Sequence, residues 1–144
     1  MSVQALSTPV QPASDPDSRG FWEATAAGEL AICRCVACRT WLQPPLERCR
    51  HCAAATRFER VSGRGTIFSF IVVRHPCSPG YLDDLPYLVG LIELEEQENL
   101  KLVSNVVDIP PDDVKVGMAV QVTFREVAPG YTLPLFTPVA STGA

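Results

Sequence analysis

Apolar and polar positions change their period along the chain, and the changes mark its parts. The first sixteen residues, rich in Ser, Pro, Gln and Ala, show no period and read as a flexible arm. Over residues 17–27, Phe21, Trp22 and Thr25 fall near one face of a helix, with Asp15 or Asp17 to cap it and Gly28 to stop it. That face suits docking onto something apolar, either a partner or the domain's own core. Leu30–Arg34 is a short strand leading into a cysteine-rich unit that runs to about Cys52. From Thr66 onward the period becomes two. Thr66–Arg74 is β-branched and aromatic throughout and reads as a long strand. Tyr87–Leu94, Leu100–Val107 and Met118–Glu126 follow. In the last of these Met118, Val120, Val122 and Phe124 face inward, while Gln121, Thr123 and Arg125 face outward. Leu133–Pro138 makes a fifth strand, and Pro110–Val114 a single helical turn between the third and fourth. Phe68, Phe70 and Phe124 lie among apolar neighbours and are assigned to the core, and Gly63-Arg64-Gly65 is read as a turn.

Five strands with a small helical element between the third and fourth match the order of an OB-fold barrel. The predicted class is mainly β: a helix and metal ribbon over 17–60, a five-stranded OB-fold over 61–138, and a tail over 139–144. The loop His75–Pro86, HPCSPGYLDDLP, is the longest interruption of the barrel. Its three prolines and one glycine mark a shaped loop, a kind that often carries function.

Composition sharpens this picture. With 144 residues, 47% of them hydrophobic and 19% charged, the chain is globular and long enough for a real core. A net charge of −4 gives the whole molecule no attraction to nucleic acid or anionic membrane. The average hides an asymmetry: arginines 34, 39, 48, 50, 57, 60 and 64 face only Glu47 and Glu59 in the same stretch. They make either a locally basic surface or an ordinary solvated one. No apolar run approaches the ~20 residues of a membrane span. The N-terminus lacks the basic and apolar regions of a secretory signal, so a cytoplasmic location is expected. Six cysteines are then thiols or metal thiolates in a reducing compartment.

Two C-x-x-C elements stand in that basic stretch, Cys35-Val-Ala-Cys38 and Cys49-Arg-His-Cys52. Two intervening residues let both sulfurs of a tight turn point at one ion, and ten residues bring the second turn opposite the first. Cys35, Cys38, Cys49 and Cys52 therefore form a four-thiolate zinc ribbon. Cys33, separated from Cys35 by one residue, is placed as a buried or half-buried thiol beside the site, and His51 on the solvated surface. Four thiolates leave no open position, so the zinc is structural. Iron would find the same ligands. Against it, Arg39-Thr40 and Ala53-Ala54 lack the glycine that commonly eases amide-to-sulfur contacts in rubredoxin.

The stretches FWEATAAGELAICRCVAC, PPLERCRHC and VSGRGTIFSFIVV, then PYLVGLIEL, VSNVVDIPPDDVKVGMAVQVTF and LPLFTP, resemble a bacterial and archaeal family. It was first catalogued as a domain of unknown function and combines a helical arm, a rubredoxin-like zinc ribbon and an OB-fold. The resemblance covers about residues 20–138. It implies a small subunit or fused domain that accompanies thiolase-like enzymes of CoA-thioester chemistry: thiolysis, acyl transfer or retro-aldol steps. This chain departs from the family pattern in the missing glycines and in the added Cys33.

No catalytic residue is assigned. His75 with Cys77 is the sole Cys/His pairing outside the ribbon; Pro76 stiffens the backbone between them, and no specific partner for His75 is evident in the sequence. Glu93, Glu95, Glu96 and Glu98 read as a solvated turn, and Asp112 and Asp113 as a helix start. Two functions of different class follow. One is a non-catalytic accessory subunit of a thiolase-like enzyme, with acyl-CoA as a ligand of the complex and no membrane contact. Its contact residues would be Phe21, Trp22, Arg64, Arg74, His75 and Tyr81, the arginines meeting CoA phosphates. The other is a nucleic-acid-binding module, which the net charge disfavours.

Overall fold

The structure is a computed structural model that describes residues 9–13 and 15–139. The expected arm and tail lie largely outside the described residues. Helix α1 spans Arg19–Ala26 and begins later than the sequence predicts. Ser18 occupies the N-cap without a side-chain bond, while the Asp15 carboxylate accepts the N–H of Asp17 at 2.9 Å instead. Gly28 does stop the helix. At φ 77° its N–H reaches Thr25 O, and the N–H of Glu29 reaches Ala24 O, so two orphan carbonyls are satisfied.

The ribbon carries three strands, β1 (Ala31–Cys35), β2 (Trp41–Leu42) and β3 (Thr56–Arg60), in the antiparallel order β2-β1-β3. Sequence periodicity found only β1. A two-residue strand has no period, and TRFER in β3 alternates around charges. Helix α1 lies against this sheet at Gly20, where a Cβ would collide with the Phe58 ring.

The barrel closes through β4 (Arg64–Val73), β5 (Tyr87–Leu94), β6 (Lys101–Val106), β8 (Tyr131–Pro138) and β7 (Ala119–Ala128), in that spatial order. Every pairing is antiparallel except β6 with β8, which is parallel. This is the predicted OB-fold order, with a 3-10 turn at Pro111–Asp113 between β6 and β7. Gly63, at φ 80° and against Val122, makes the turn before β4; Arg64 and Gly65 already belong to the strand.

Phe68 corrects the core assignment. A bulge between Ile67 and Ser69 shifts the β4–β5 register, and Phe68 emerges 47% exposed with Lys101 Nζ 3.6 Å above its ring. A strict count of two cannot see an inserted residue. The core itself runs unbroken from ribbon to barrel. Leu30, Ile32 and Trp41 pack in one cluster with Ile67, Leu88, Ile92, Leu102, Val120 and Phe136, while Phe70, Val122 and Phe124 lean on it half-buried. Each such side chain contributes about 1.5–3 kcal/mol on burial, so the two parts stabilise each other.

Candidate metal centre and the adjoining groove

Strand β1 delivers Cys35 to a tight turn, and the turn returns Cys38. An isolated bridge between Arg48 and Ala55 closes the second turn around Cys49 and Cys52. The four sulfurs lie within 4.8 Å of one another, with Cys35 Sγ 3.4 Å from Cys52 Sγ and Cys38 Sγ 3.6 Å from Cys49 Sγ. A tetrahedron with metal–sulfur bonds of about 2.3 Å has edges of about 3.8 Å, so the cage fits one zinc ion. The N–H groups of Ala37 and Cys38 point at Cys35 Sγ, and that of His51 at Cys49 Sγ, each at 3.4 Å. The Thr40 hydroxyl, 3.2 Å from Cys38 Sγ, and the Thr40 backbone hold the Cys38 thiol down at about 6, which favours the thiolate a metal requires.

The missing glycines prove no obstacle. Arg39 and Ala53, each directly after a C-x-x-C pair, adopt φ of 66° and 62°, so both turns close in the left-handed region with ordinary residues. Amide-to-sulfur contacts therefore form without glycine, and their supposed absence no longer argues against iron. Cys33 is buried at 1% exposure, and its thiol donates to Leu46 O at 3.5 Å; His51 is exposed.

Three arginines of the ribbon converge on one carboxylate. Glu59 accepts both Nη groups of Arg39 at 2.7 and 2.9 Å, Nε and Nη2 of Arg57 at 3.0 and 2.7 Å, and Nη1 of Arg34 at 3.0 Å. Arg39 first, then Arg57 and Arg34, hold its carboxyl well below the ordinary range, at about 2. The sequence names Glu59 as an isolated acid among arginines but gives no sign that three of them converge on it.

A groove of about 470 Å³ opens between α1, the ribbon, the 75–86 loop and strands β5, β6 and β8. Phe21 and Trp22 of α1 and Tyr81 of the 75–86 loop, predicted from two separate segments, line it together, joined by Tyr87, Phe58 and Asn105. Tyr87 went unmarked in the sequence because it looks like any strand aromatic. Its hydroxyl lies 3.6 Å from Cys77 Sγ, and that contact, with burial, pushes its pKa up to about 12, so it stays a neutral donor. The other contact candidates lie elsewhere. Arg64 pairs with Glu95 at 3.0 Å, and Arg74 and His75 are exposed beyond the end of β4. Among the described residues no hydrogen bond joins His75 to Cys77, and no helix is long and apolar enough to cross a membrane.

Comparison with known proteins agrees with this geometry. Residues 22–59 match the family described as ChsH2, rubredoxin-like zinc ribbon domain, and residues 58–125 that described as ChsH2, C-terminal OB-fold domain. Over 132 residues the chain is 38% identical to a probable enoyl-CoA hydratase alpha subunit of Thermomonospora curvata, covering 89% of this chain but 39% of that protein. It is 32% identical over 96 residues to a DUF35 domain-containing scaffold protein of Methanothermobacter thermautotrophicus, covering 65% and 70%. Among solved structures it overlays a chain of the Ltp2-ChsH2(DUF35) aldolase with a TM-score of 0.82 and 38% identity, over 89% of this chain and 98% of that one. With its four-sulfur ribbon and closed five-stranded barrel, the chain belongs to the ChsH2 (DUF35) family.

Proposed function

We propose that this chain is a non-catalytic accessory subunit of a thiolase-like enzyme that acts on acyl-CoA thioesters. The chemistry of its host would be thiolysis, acyl transfer or retro-aldol cleavage in lipid, steroid or aromatic degradation. One observation carries the reading: the overlay extends over 98% of a chain from an aldolase named jointly for Ltp2 and ChsH2. The Thermomonospora relative is likewise named as one subunit of an assembly, although this chain spans only 39% of it.

The residues support the same role. A site of four cysteines holds zinc with no position left for water or substrate, so the metal serves folding and not catalysis. The groove walled by Phe21, Trp22, Tyr81 and Tyr87 offers an apolar surface with a few polar groups, the composition of a ligand or partner site. It bears no arginine, which sets it apart from the basic, aromatic-lined channel that single-stranded nucleic acid requires. The outer barrel face adds Phe68, Ile71 and Val103, exposed at 47, 62 and 66%. A reducing cytoplasm is the compartment that suits the six unpaired cysteines.

The test is co-expression with a thiolase-like subunit encoded beside this chain, followed by size exclusion and an acyl-CoA assay with and without it. A stable complex, with no turnover by the isolated chain, is expected. A fully active host that never associates with this chain would end the proposal. Tight, salt-sensitive binding of single-stranded DNA by the isolated chain would replace it with the nucleic-acid reading.

A further inference from the structure

Three guanidiniums on one carboxylate leave two positive charges unanswered. Arg34 and Arg57 stand directly opposite each other across β1 and β3, a like-charge pair that a sheet ordinarily disfavours. Among the described residues Glu59 is the sole carboxylate within ion-pair distance of Arg34, Arg39 or Arg57. It is also saturated. Two oxygens offer about four lone-pair sites, and five N–H contacts already reach them.

The guanidiniums are held where they are. Arg34 stacks 4.3 Å over the Trp41 ring, and its Nε donates to Arg39 O at 2.7 Å. Arg39 is fixed by its place directly after Cys38 and by its two-pronged bond to Glu59. The remaining donors of Arg57 and Arg39 face solvent, with side chains 62% and 44% exposed. The chain as a whole carries −4, so this patch opposes the average charge.

We infer that Arg34, Arg39 and Arg57, aligned by Glu59, form an oxyanion site on the ribbon that takes a phosphate group. Guanidinium forks match phosphate oxygens in pairs, and a phosphate dianion neutralises the two charges that Glu59 leaves. Free phosphate and the phosphate of a nucleotide share this chemistry. The site stands on its own geometry. The nucleotide source alone rests on the acyl-CoA reading, since the nucleotide end of CoA carries phosphates.

The experiment follows the Nε–H signals of Arg34, Arg39 and Arg57 by NMR at constant ionic strength. Chloride is exchanged for inorganic phosphate, adenosine 3′,5′-bisphosphate, pantetheine or a hexaglutamate peptide. Saturable shifts with phosphate and none with pantetheine are expected. Arg57→Gln should weaken binding roughly tenfold, the loss of a charge-assisted hydrogen bond. Glu59→Gln should tighten it about tenfold at low ionic strength, because a unit charge some 6 Å away in water no longer repels the dianion. A purely structural role for Glu59 predicts no such gain. Tighter binding of the bisphosphate than of phosphate assigns a nucleotide source, and equal binding assigns free phosphate. Three results would overturn the site: no saturable shift beyond chloride, equal binding by Arg57→Gln, or tighter binding of hexaglutamate, which would assign an acidic protein surface instead. Arg57 is exposed, so its variant tests the proposal even where Glu59→Gln fails to fold. Complex formation with a thiolase-like subunit is measured separately, so failure of one reading leaves the other standing.

Discussion

At the scale of single residues, geometry decides between cysteines that look alike in the sequence. Cys33 lies on the same strand as Cys35 and is equally buried, yet its thiol bonds Leu46 O while Cys35 joins the four-sulfur cage. Cys35→Ser should therefore bind less than one zinc per chain and lose ribbon structure, because structural zinc contributes directly to folding. Cys33→Ser should keep its zinc. Metal analysis of both variants checks this, and the reverse pattern would refute the ligand assignment. Ala53 gives a second prediction. Holding a non-glycine residue at φ 62° costs about 1 kcal/mol, and an added glycine removes that cost. Ala53→Gly should raise the denaturant midpoint of the zinc-loaded protein. An unchanged or lower midpoint would show that the turn is not strained.

Among the elements, the ribbon sheet is tied together by one carboxylate. Glu59 on β3 binds Arg34 of β1 and Arg39 of the first cysteine turn, so it clamps that turn to the sheet. Its pKa falls from 4.5 to about 2 on folding, which fixes the sign of its pH dependence. A depressed carboxylate stabilises the fold above its unfolded pKa and loses that contribution as pH drops through the folded value. Wild type should therefore exceed Glu59→Gln in stability by a constant margin above pH 4.5, and the margin should shrink as pH falls below that value and vanish only below about pH 2. Thermal melts of both proteins across that window measure it. A margin independent of pH would assign the effect to packing. Helix α1 depends on a different contact. Gly20→Val should push α1 off Phe58 and expose the helix to proteolysis without removing zinc.

For the whole molecule, ribbon and barrel share one core, so damage to either spreads. Leu30, Ile32 and Trp41 from the ribbon side belong to the same buried cluster as Phe136 of the barrel. Phe136→Ala should cost about 3–5 kcal/mol, enough to consume much of the stability of a domain this size. Calorimetry should show one cooperative transition for wild type and loss of both parts together in the variant. Catalysis makes the contrasting prediction. Alanine at His75 and Cys77 should leave the turnover of an assembled host complex within roughly tenfold, below the ~10²–10⁴ that an acid–base group supplies. A larger loss in a correctly assembled complex would mean that this loop carries chemistry.

The sequence by itself determined the metal ligands, the five barrel strands and their OB-fold order. Those features are local: a two-residue gap between cysteines makes a turn, and alternation at period two makes a half-buried strand. Only the tertiary structure decided what distant segments do together. The convergence of three arginines on Glu59 depends on the register of β1 with β3, and no spacing in the chain reveals a register. The groove likewise needs α1, the ribbon and the 75–86 loop in one place, so Tyr81 was legible as an aromatic but not as a neighbour of Phe21 and Trp22. Arg64, read as a phosphate contact, stands 3.0 Å from Glu95 across the start of the barrel, a pairing that no spacing in the chain reveals. Phe68 was turned outward by a bulge that one inserted residue creates. In each case local pattern fixes the element, while the contacts depend on how the elements pack in three dimensions.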